Sequence, residues 1–291
     1  MELFFVGSQN IEHDNYMIKK SCPRLFSFAE KPYSKMRMYE ESTCKLFLDS
    51  GAFSIAHGAR RGKNLTIDDY IEFINKHPRV ELYAAFDVIP LPLNEETASK
   101  SAEDSWNNYL YMLDKINQPE KLLPVYHYGE SLDNLRRIVD SGAKYIAYGG
   151  RGGVHTKYLY SNLDKFFDIV KDRKVHAFGI TVLDILESYP FTSADSTSYQ
   201  KVATMGGIFL ECINKAIKIS KSTIKDNTHF IYQDNHIKNL ILQEIENYGY
   251  NFEQLQDSTN RRIEFNVDYF MRWVSNYQYK PNKKPRKKSL F

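Results

Sequence analysis

Three aspartates follow short apolar runs: Asp49 after Lys45-Leu-Phe-Leu48, Asp87 after Val80 to Phe86, and Asp195 after Phe191 to Ala194. Asp195 lies in Ser193-Ala-Asp-Ser-Thr-Ser198, a carboxylate among small hydroxyl residues, which makes a poor core and a good site. Carboxylates gathered at one place suit the cleavage and re-formation of a glycosidic bond. One attacks an anomeric carbon and another manages the proton of the leaving group. Neighbouring carboxylates drive each other's pKa apart, so one stays protonated as an acid while the other stays ionised. The plainer role for Asp49 and Asp87 is to cap the turns and helices after them. For the three taken together, a site is the better reading.

Other strand-end residues could join them. His127 follows Leu122 to Tyr126, Gly149-Gly150-Arg151-Gly152-Gly153 follows Lys144 to Tyr148, and Gly179 follows Val175 to Phe178. The glycine doublets can bring a planar ligand or a phosphate against backbone N–H groups. No Gly-Lys-Ser/Thr follows, so this is no P-loop, and a tight turn explains the glycines nearly as well. His127 can hydrogen-bond a substrate or serve the structure. His57, His155 and His176 show no metal-ligand spacing, and Cys22, Cys44 and Cys212 stand too far apart for a disulfide framework or a zinc cluster. No metal and no cofactor is assigned, and the cysteine usage suits a reducing compartment.

The elements that must position these residues alternate. Strands are predicted at Leu3 to Val6, Arg24 to Phe28, Lys45 to Leu48, Val80 to Phe86, Leu122 to Tyr126, Lys144 to Tyr148, Val175 to Phe178 and Phe191 to Ala194. Helices between them show 3.6-residue apolar spacing, as at Ile67, Tyr70, Ile71 and Ile74, or Trp106, Leu110, Leu113 and Ile116. At least five such units between Lys45 and Ser220 predict an α/β fold, a TIM-type (β/α)8 barrel, with an open doubly wound sheet as the alternative. The barrel is favoured because barrel enzymes gather their sites where Asp49, Asp87, His127, Gly149-Gly150, Gly179 and Asp195 fall, at the C-terminal strand ends. Beyond Ser220 the pattern becomes helical, at His236 to Asn247 and Arg262 to Tyr277. The expected organisation is a barrel catalytic domain over 1–235, a small helical extension packed on it over 236–279, and a basic tail over 280–291.

The chain of 291 residues suits one barrel with additions. Its net charge of +3 is local: 280–291 hold six basic residues and no acid, leaving the rest near −3. Such an arm suits a polyanion or simply a solvated terminus. Tyr and Phe number 21 and 18; their rings can stack on bases, or the excess reflects an A/T-rich genome. No apolar run approaches the length of a membrane span and the N-terminus lacks a signal pattern, so no membrane partner and a cytoplasmic location are expected.

Asp49-Ser-Gly-Ala-Phe53, Phe86-Asp87, Pro124-Val-Tyr-His127, Gly149-Gly150, Phe178-Gly179 and Ser193-Ala-Asp-Ser196 occur in the order and approximate spacing of the tRNA-guanine transglycosylase superfamily. The run His176-Ala-Phe-Gly179 followed by Ser193-Ala-Asp-Ser196 more closely resembles its DNA-modifying branch, the DpdA-type DNA 7-deazaguanine transglycosylases, many of them phage-encoded. The resemblance spans about Leu46 to Tyr199. It implies that Asp195 is the nucleophile holding the sugar covalently, that Asp49 is the general acid/base, and that Asp87 reads the guanine-like edge. It also implies a pocket lined by Ser50, Gly51, His127, Gly149, Gly150 and Gly179, with the base between Phe53 and Phe178.

The expected partners are DNA and a free 7-deazaguanine base, with Arg151, Lys283, Lys284, Arg286, Lys287 and Lys288 meeting the nucleic acid. If the protein is phage-encoded, the location is the host cytoplasm. Three departures stand out. Ala52 replaces the second Gly of the tRNA enzymes' Asp-Ser-Gly-Gly, His127 stands where they have Gln, and their zinc subdomain has no counterpart after Asp195. The last favours DNA over tRNA; the same exchange on tRNA, a non-catalytic nucleic-acid-binding homologue and a glycosidase-like hydrolase are the alternatives.

Overall fold

The computed structural model describes residues 1–52, 65–150 and 156–281. Nine parallel segments form one sheet: β1 (Glu2–Val6), β2 (Arg24–Ser27), β3 (Leu46–Asp49), β4 (Leu82–Ala84), β5 (Leu122–Leu123), β6 (Val125–His127), β7 (Tyr145–Gly149), β8 (Lys174–Phe178) and β9 (Ser193–Ser196). Their order is β5-β4-β3-β2-β1-β9-β8-β7-β6. Only Pro124, which has no N–H to give to a ladder, separates β5 from β6. Its carbonyl still accepts the Ala147 N–H at 2.9 Å, while the Leu123 carbonyl accepts the Ala85 N–H at 2.8 Å. β5 pairs with β4 and β6 with β7, so the two are halves of one stave and the sheet's ends meet through the chain. This is the expected α/β barrel of TIM type, and the contiguity of the two end segments excludes an open doubly wound sheet.

The interior is explained by the two-residue period of a strand. Phe4, Leu25, Phe47, Ala84, Leu123, Val125 and Ala147 pack against one another, with Phe178 and Tyr145 against them. Two residues on from Phe47, Val125 and Ala147 come Asp49, His127 and Gly149, so the layer above the apolar one is made of candidate site residues.

Helices alternate with these strands: α1 (Ile11–Lys19), α2 (Tyr33–Glu40), α3 (Ile67–Lys76), α4 (Glu95–Lys115), α5 (Leu132–Asp140), α6 (Thr156–Val170) and α7 (Leu183–Ser188). Reciprocal capping boxes at Thr66/Asp69 and Asn94/Thr97 start α3 and α4; caps of this kind contribute about 1 kcal/mol each. The sequence does not predict α1 and α2. α2 buries only Met36 and Tyr39 and α1 buries His13, Asp14 and Met17, so neither carries a legible apolar stripe. The aromatic excess is partly core, since Tyr39, Tyr70, Tyr83, Tyr126, Tyr148 and Tyr199 are fully buried.

The chain divides into two compact units, the barrel unit of Met1–Val6, Pro23–Asp195 and the described residues from Gln278, and a second unit of Gly7–Cys22 and Ser196–Tyr277. The second unit holds α1, α8 (Ser198–Thr204), an antiparallel hairpin of β10 (Gly207–Leu210) and β11 (Lys215–Lys218), α9 (Asn235–Asn247), α10 (Phe252–Asp257) and α11 (Thr259–Ser275). Ile208, Leu210, Ile217 and Ile219 share a core with Ile241, Ile245, Leu255 and Phe265, so this unit begins earlier than the expected start at 236. No described helix is long and apolar enough to cross a membrane.

Candidate active site

Parallel register brings the strand ends level. Ser27 pairs with Asp49 across β2 and β3, His127 with Gly149 across β6 and β7, and Gly149 with Phe178 across β7 and β8. Ala177 pairs with Ala194, which sets Asp195 beside Phe178 one step on. Residues far apart in sequence thus share the C-terminal rim of the barrel.

Asp49 ends β3 and accepts the Gly51 N–H at 3.0 Å. Gly51 has φ +87°, and a Cβ there would lie 2.3 Å from the Ala29 Cβ, so only glycine lets the chain turn back to Asp49 at this point. Burial, then the charge of Asp87, raises the Asp49 pKa to about 8; the Gly51 N–H opposes and the charge of Asp195 adds to the rise. Asp49 therefore feels both other carboxylates and keeps its proton at neutral pH.

Asp87 is fixed rather than free. Its Oδ1 accepts from Ser50 Oγ at 2.8 Å and its Oδ2 faces His127 Nε2 at 2.9 Å. His127 Nδ1 meets Glu130 Oε1 at 2.9 Å, and Asn134 Nδ2 donates to Glu130 Oε2 at 2.6 Å. Burial works against charge on this ring, but the hydrogen bonds and charges of Asp87 and Glu130 outweigh it and lift its pKa to about 10. His127 is thus an imidazolium donating to two carboxylates, with no ring N–H left to give a ligand. Asp87, whose oxygens can each accept a second bond, is the member of the chain able to meet one.

Gly149 makes room for this arrangement, since a Cβ there would stand 2.5 Å from His127 Cδ2. The Gly150 N–H donates to the Phe178 carbonyl at 2.9 Å, so that amide belongs to the sheet and does not cradle a ligand. Phe178 leans inward, with ring centroids 4.4 Å from His176 and 5.5 Å from Phe47. Asp195, with its side chain 17% exposed, accepts the Gly179 N–H at 3.3 Å and has His176 Nε2 3.6 Å from its Oδ1. Phe53, Arg151, Lys283, Lys284, Arg286, Lys287 and Lys288 lie outside the described residues.

Several positioning groups escape the sequence reading. The Val88 N–H donates to Ser105 Oγ at 2.8 Å and Asn108 Nδ2 donates to the Phe86 carbonyl at 2.7 Å, so α4 ties down the backbone on both sides of Asp87. The expected apolar face of that helix is corrected at Leu110, which is exposed; Ile116 is buried as expected, and Ala98, Ser101, Ala102, Ser105, Tyr109 and Met112 face inward. Small and polar side chains allow the close approach that these hydrogen bonds need. Asn108→Ala is expected to lower stability by about 1 kcal/mol, seen as a lower urea midpoint at unchanged m-value. Leu110→Ala should leave the midpoint unmoved. Tyr70, on α3, has its hydroxyl 3.1 Å from the Leu48 carbonyl and 3.0 Å from that of Ala84, bracing the ends of β3 and β4. Glu130, three residues on from His127, is likewise found only in the structure.

A cavity of about 840 Å³ opens at the opposite end of the barrel, among Glu2, Lys45, Glu81, Lys144 and Lys174. It contains none of the candidate residues and mixes both signs of charge, so the carboxylate rim is the better candidate site. Among the described residues no cluster of His, Cys, Asp and Glu is arranged to hold a metal ion.

No protein-family model matches the chain, and no curated protein matches it in sequence. Among solved structures it is similar to N-acetylneuraminate lyase from Mycoplasma synoviae in two crystal forms. One is 11% identical with a TM-score of 0.47, covering 99% of this chain and 92% of that one. The other is 12% identical with a TM-score of 0.46, covering 98% and 92%. A protein of Aquifex aeolicus VF5 is 8% identical with a TM-score of 0.39, covering 88% and 93%. At these values the likeness carries no weight for function, and the barrel stands on its own strand order.

Proposed function

We propose that the protein is a transglycosylase that exchanges guanine in DNA for a free 7-deazaguanine base. The observation that supports it best is the division of labour among three carboxylates on one rim: Asp49 keeps its proton to about pH 8, Asp87 is anchored by Ser50 and His127, and Asp195 stands partly exposed. In the first half-reaction an Asp195 oxygen bonds to the anomeric carbon as the bond to guanine breaks. The bonding pair leaves with the base, which takes the proton of Asp49. In the second half Asp49, now ionised, removes a proton from the incoming base, whose nitrogen attacks the same carbon and expels the Asp195 carboxylate. Double displacement through a carboxylate is established chemistry for such centres. Asp87, with acceptor capacity left, receives the N–H groups of a guanine-like edge and rejects bases without them.

The test offers the protein duplex DNA and tRNA together with a labelled 7-deazaguanine, followed by mass spectrometry of nucleosides from each. Label in DNA supports the proposal. Label in tRNA alone moves the same chemistry to RNA, free guanine without incorporation indicates a hydrolase, and no reaction with either nucleic acid overturns transglycosylation.

A further inference from the structure

The middle of a barrel is normally an apolar plug, and this one is interrupted beneath Asp195. Tyr145 on β7, His176 on β8 and Ser193 on β9 form a polar column: Tyr145 OH lies 2.6 Å from Ser193 Oγ, which lies 2.6 Å from His176 Nδ1. His176 is fully buried, and the rings of Phe4, Phe47 and Phe178 pack against it with centroids 6.1, 4.7 and 4.4 Å away. Its Nε2 has no hydrogen-bond partner among the described residues and faces Asp195 Oδ1 at 3.6 Å, just beyond hydrogen-bond reach. A buried unpaired ring nitrogen is costly, so its placement here calls for an explanation.

The geometry points to His176 as a positioning residue for Asp195, its Nε2–H presented to the carboxylate in a tautomer that Ser193 and Tyr145 support. The charge on Asp195 chooses between the two ways of filling the column with protons. If Nδ1 held the proton, the Nε2 lone pair would face the carboxylate oxygen. If instead Tyr145 donates to Ser193 and Ser193 donates to Nδ1, then Nε2 carries hydrogen toward Asp195 and each donor in the column has an acceptor. Burial lowers the His176 pKa, with Asp195 opposing, so the ring works as a neutral donor. Catalytic hydrogen bonds are often long in the resting protein and tighten during the reaction.

This role rests on the reading of Asp195 as the nucleophile, and it has a specific consequence. A donor to Asp195 stabilises the free carboxylate more than the sugar ester, in which the oxygen has lost its charge. Removing the donor shifts the internal equilibrium toward the covalent intermediate and slows its breakdown, the step in which the Asp195 carboxylate is re-formed.

The experiment traps that intermediate on denaturing gels using guanine-containing DNA, or tRNA if tRNA is the substrate, with ¹⁵N spectra of the His176 ring recorded in parallel. His176→Phe, which matches the surrounding rings, is expected to raise the ratio of adduct to free enzyme by roughly 10-fold. Ser193→Ala should move it in the same direction by less, and His176→Gln, which keeps an N–H, should restore it in part. A purely structural His176 would lower active enzyme without changing that ratio.

In the wild-type spectrum Nε2 should carry the proton, and its resonance should move upfield in Asp195→Asn. An Nδ1–H tautomer, a resonance indifferent to Asp195→Asn, or an unchanged adduct ratio in His176→Phe each overturns the inference. If wild-type protein forms no adduct with either nucleic acid, it is transglycosylation that fails. The ring spectra then decide the His176–Asp195 contact on their own, and they also serve if His176→Phe does not fold.

Discussion

Asp195→Asn is expected to reduce base exchange on the order of 10⁴-fold or more and to abolish the covalent protein–nucleic acid band. An amide has no anionic oxygen with which to attack an anomeric carbon, and no other carboxylate takes its place. Asp49 holds its proton, and Asp87 is bound by Ser50 and His127. Stability should hardly change. Among the described residues the side chain has one backbone hydrogen bond, from Gly179 at 3.3 Å, which the amide oxygen of Asn can accept. The measurements are single-turnover incorporation of labelled base beside a thermal melt of the same preparation. Full activity in a normally melting variant removes Asp195 from the chemistry; lost activity with a lost melt shows only misfolding and calls for Asp195→Glu and Asp195→Ser.

The second large effect concerns Asp49 and carries a sign in pH. Its folded pKa lies near 8, above the ordinary carboxylate range, chiefly because of burial and then the charge of Asp87. As general acid it works protonated, so kcat/KM should fall about tenfold per pH unit above pH 8. Asp49→Asn should lower the rate by about 10²- to 10⁴-fold and remove that basic limb.

Stability follows the same proton. Between the ordinary carboxylate range and about pH 8 the folded protein binds more protons than the unfolded chain at this residue, so raising the pH through that window lowers stability. Asp49→Asn escapes the loss and should be more stable than wild type at pH 8, by about 1–2 kcal/mol, while far less active. A rate profile that retains its basic limb in Asp49→Asn would assign the limb elsewhere. His127 titrates higher, near 10, and its contribution is lost over a more alkaline range.

Much of the fold was legible because it is written locally. A strand of alternating side chains ending at a polar residue is visible within a few positions of chain, and so is the 3.6-residue apolar spacing of α3, whose Tyr70, Ile71 and Ile74 are buried. The helices at 11–19 and 33–40 and the hairpin at 207–218 were not legible. Their apolar positions are few, and they become inward only when a particular neighbour covers them. On α4 the periodicity was right for Ile116, which is buried, and wrong for Leu110, because the helix approaches the sheet through Ala and Ser and turns Leu110 outward.

The site divides in the same way. From the amino-acid sequence alone came the barrel class and the list of strand-end residues Asp49, Asp87, His127, Gly149, Phe178 and Asp195, because what a strand ends in is a property of adjacent residues. Only the tertiary structure decided what these groups do to each other. It made His127 a doubly anchored cation between Asp87 and Glu130, gave Gly149 the task of clearing that ring, and placed the buried His176 beneath Asp195. Proton affinity and hydrogen bonding depend on distances of a few ångströms between atoms, and residues 40 positions apart, such as Asp87 and His127, acquire such distances only when parallel strands set their register.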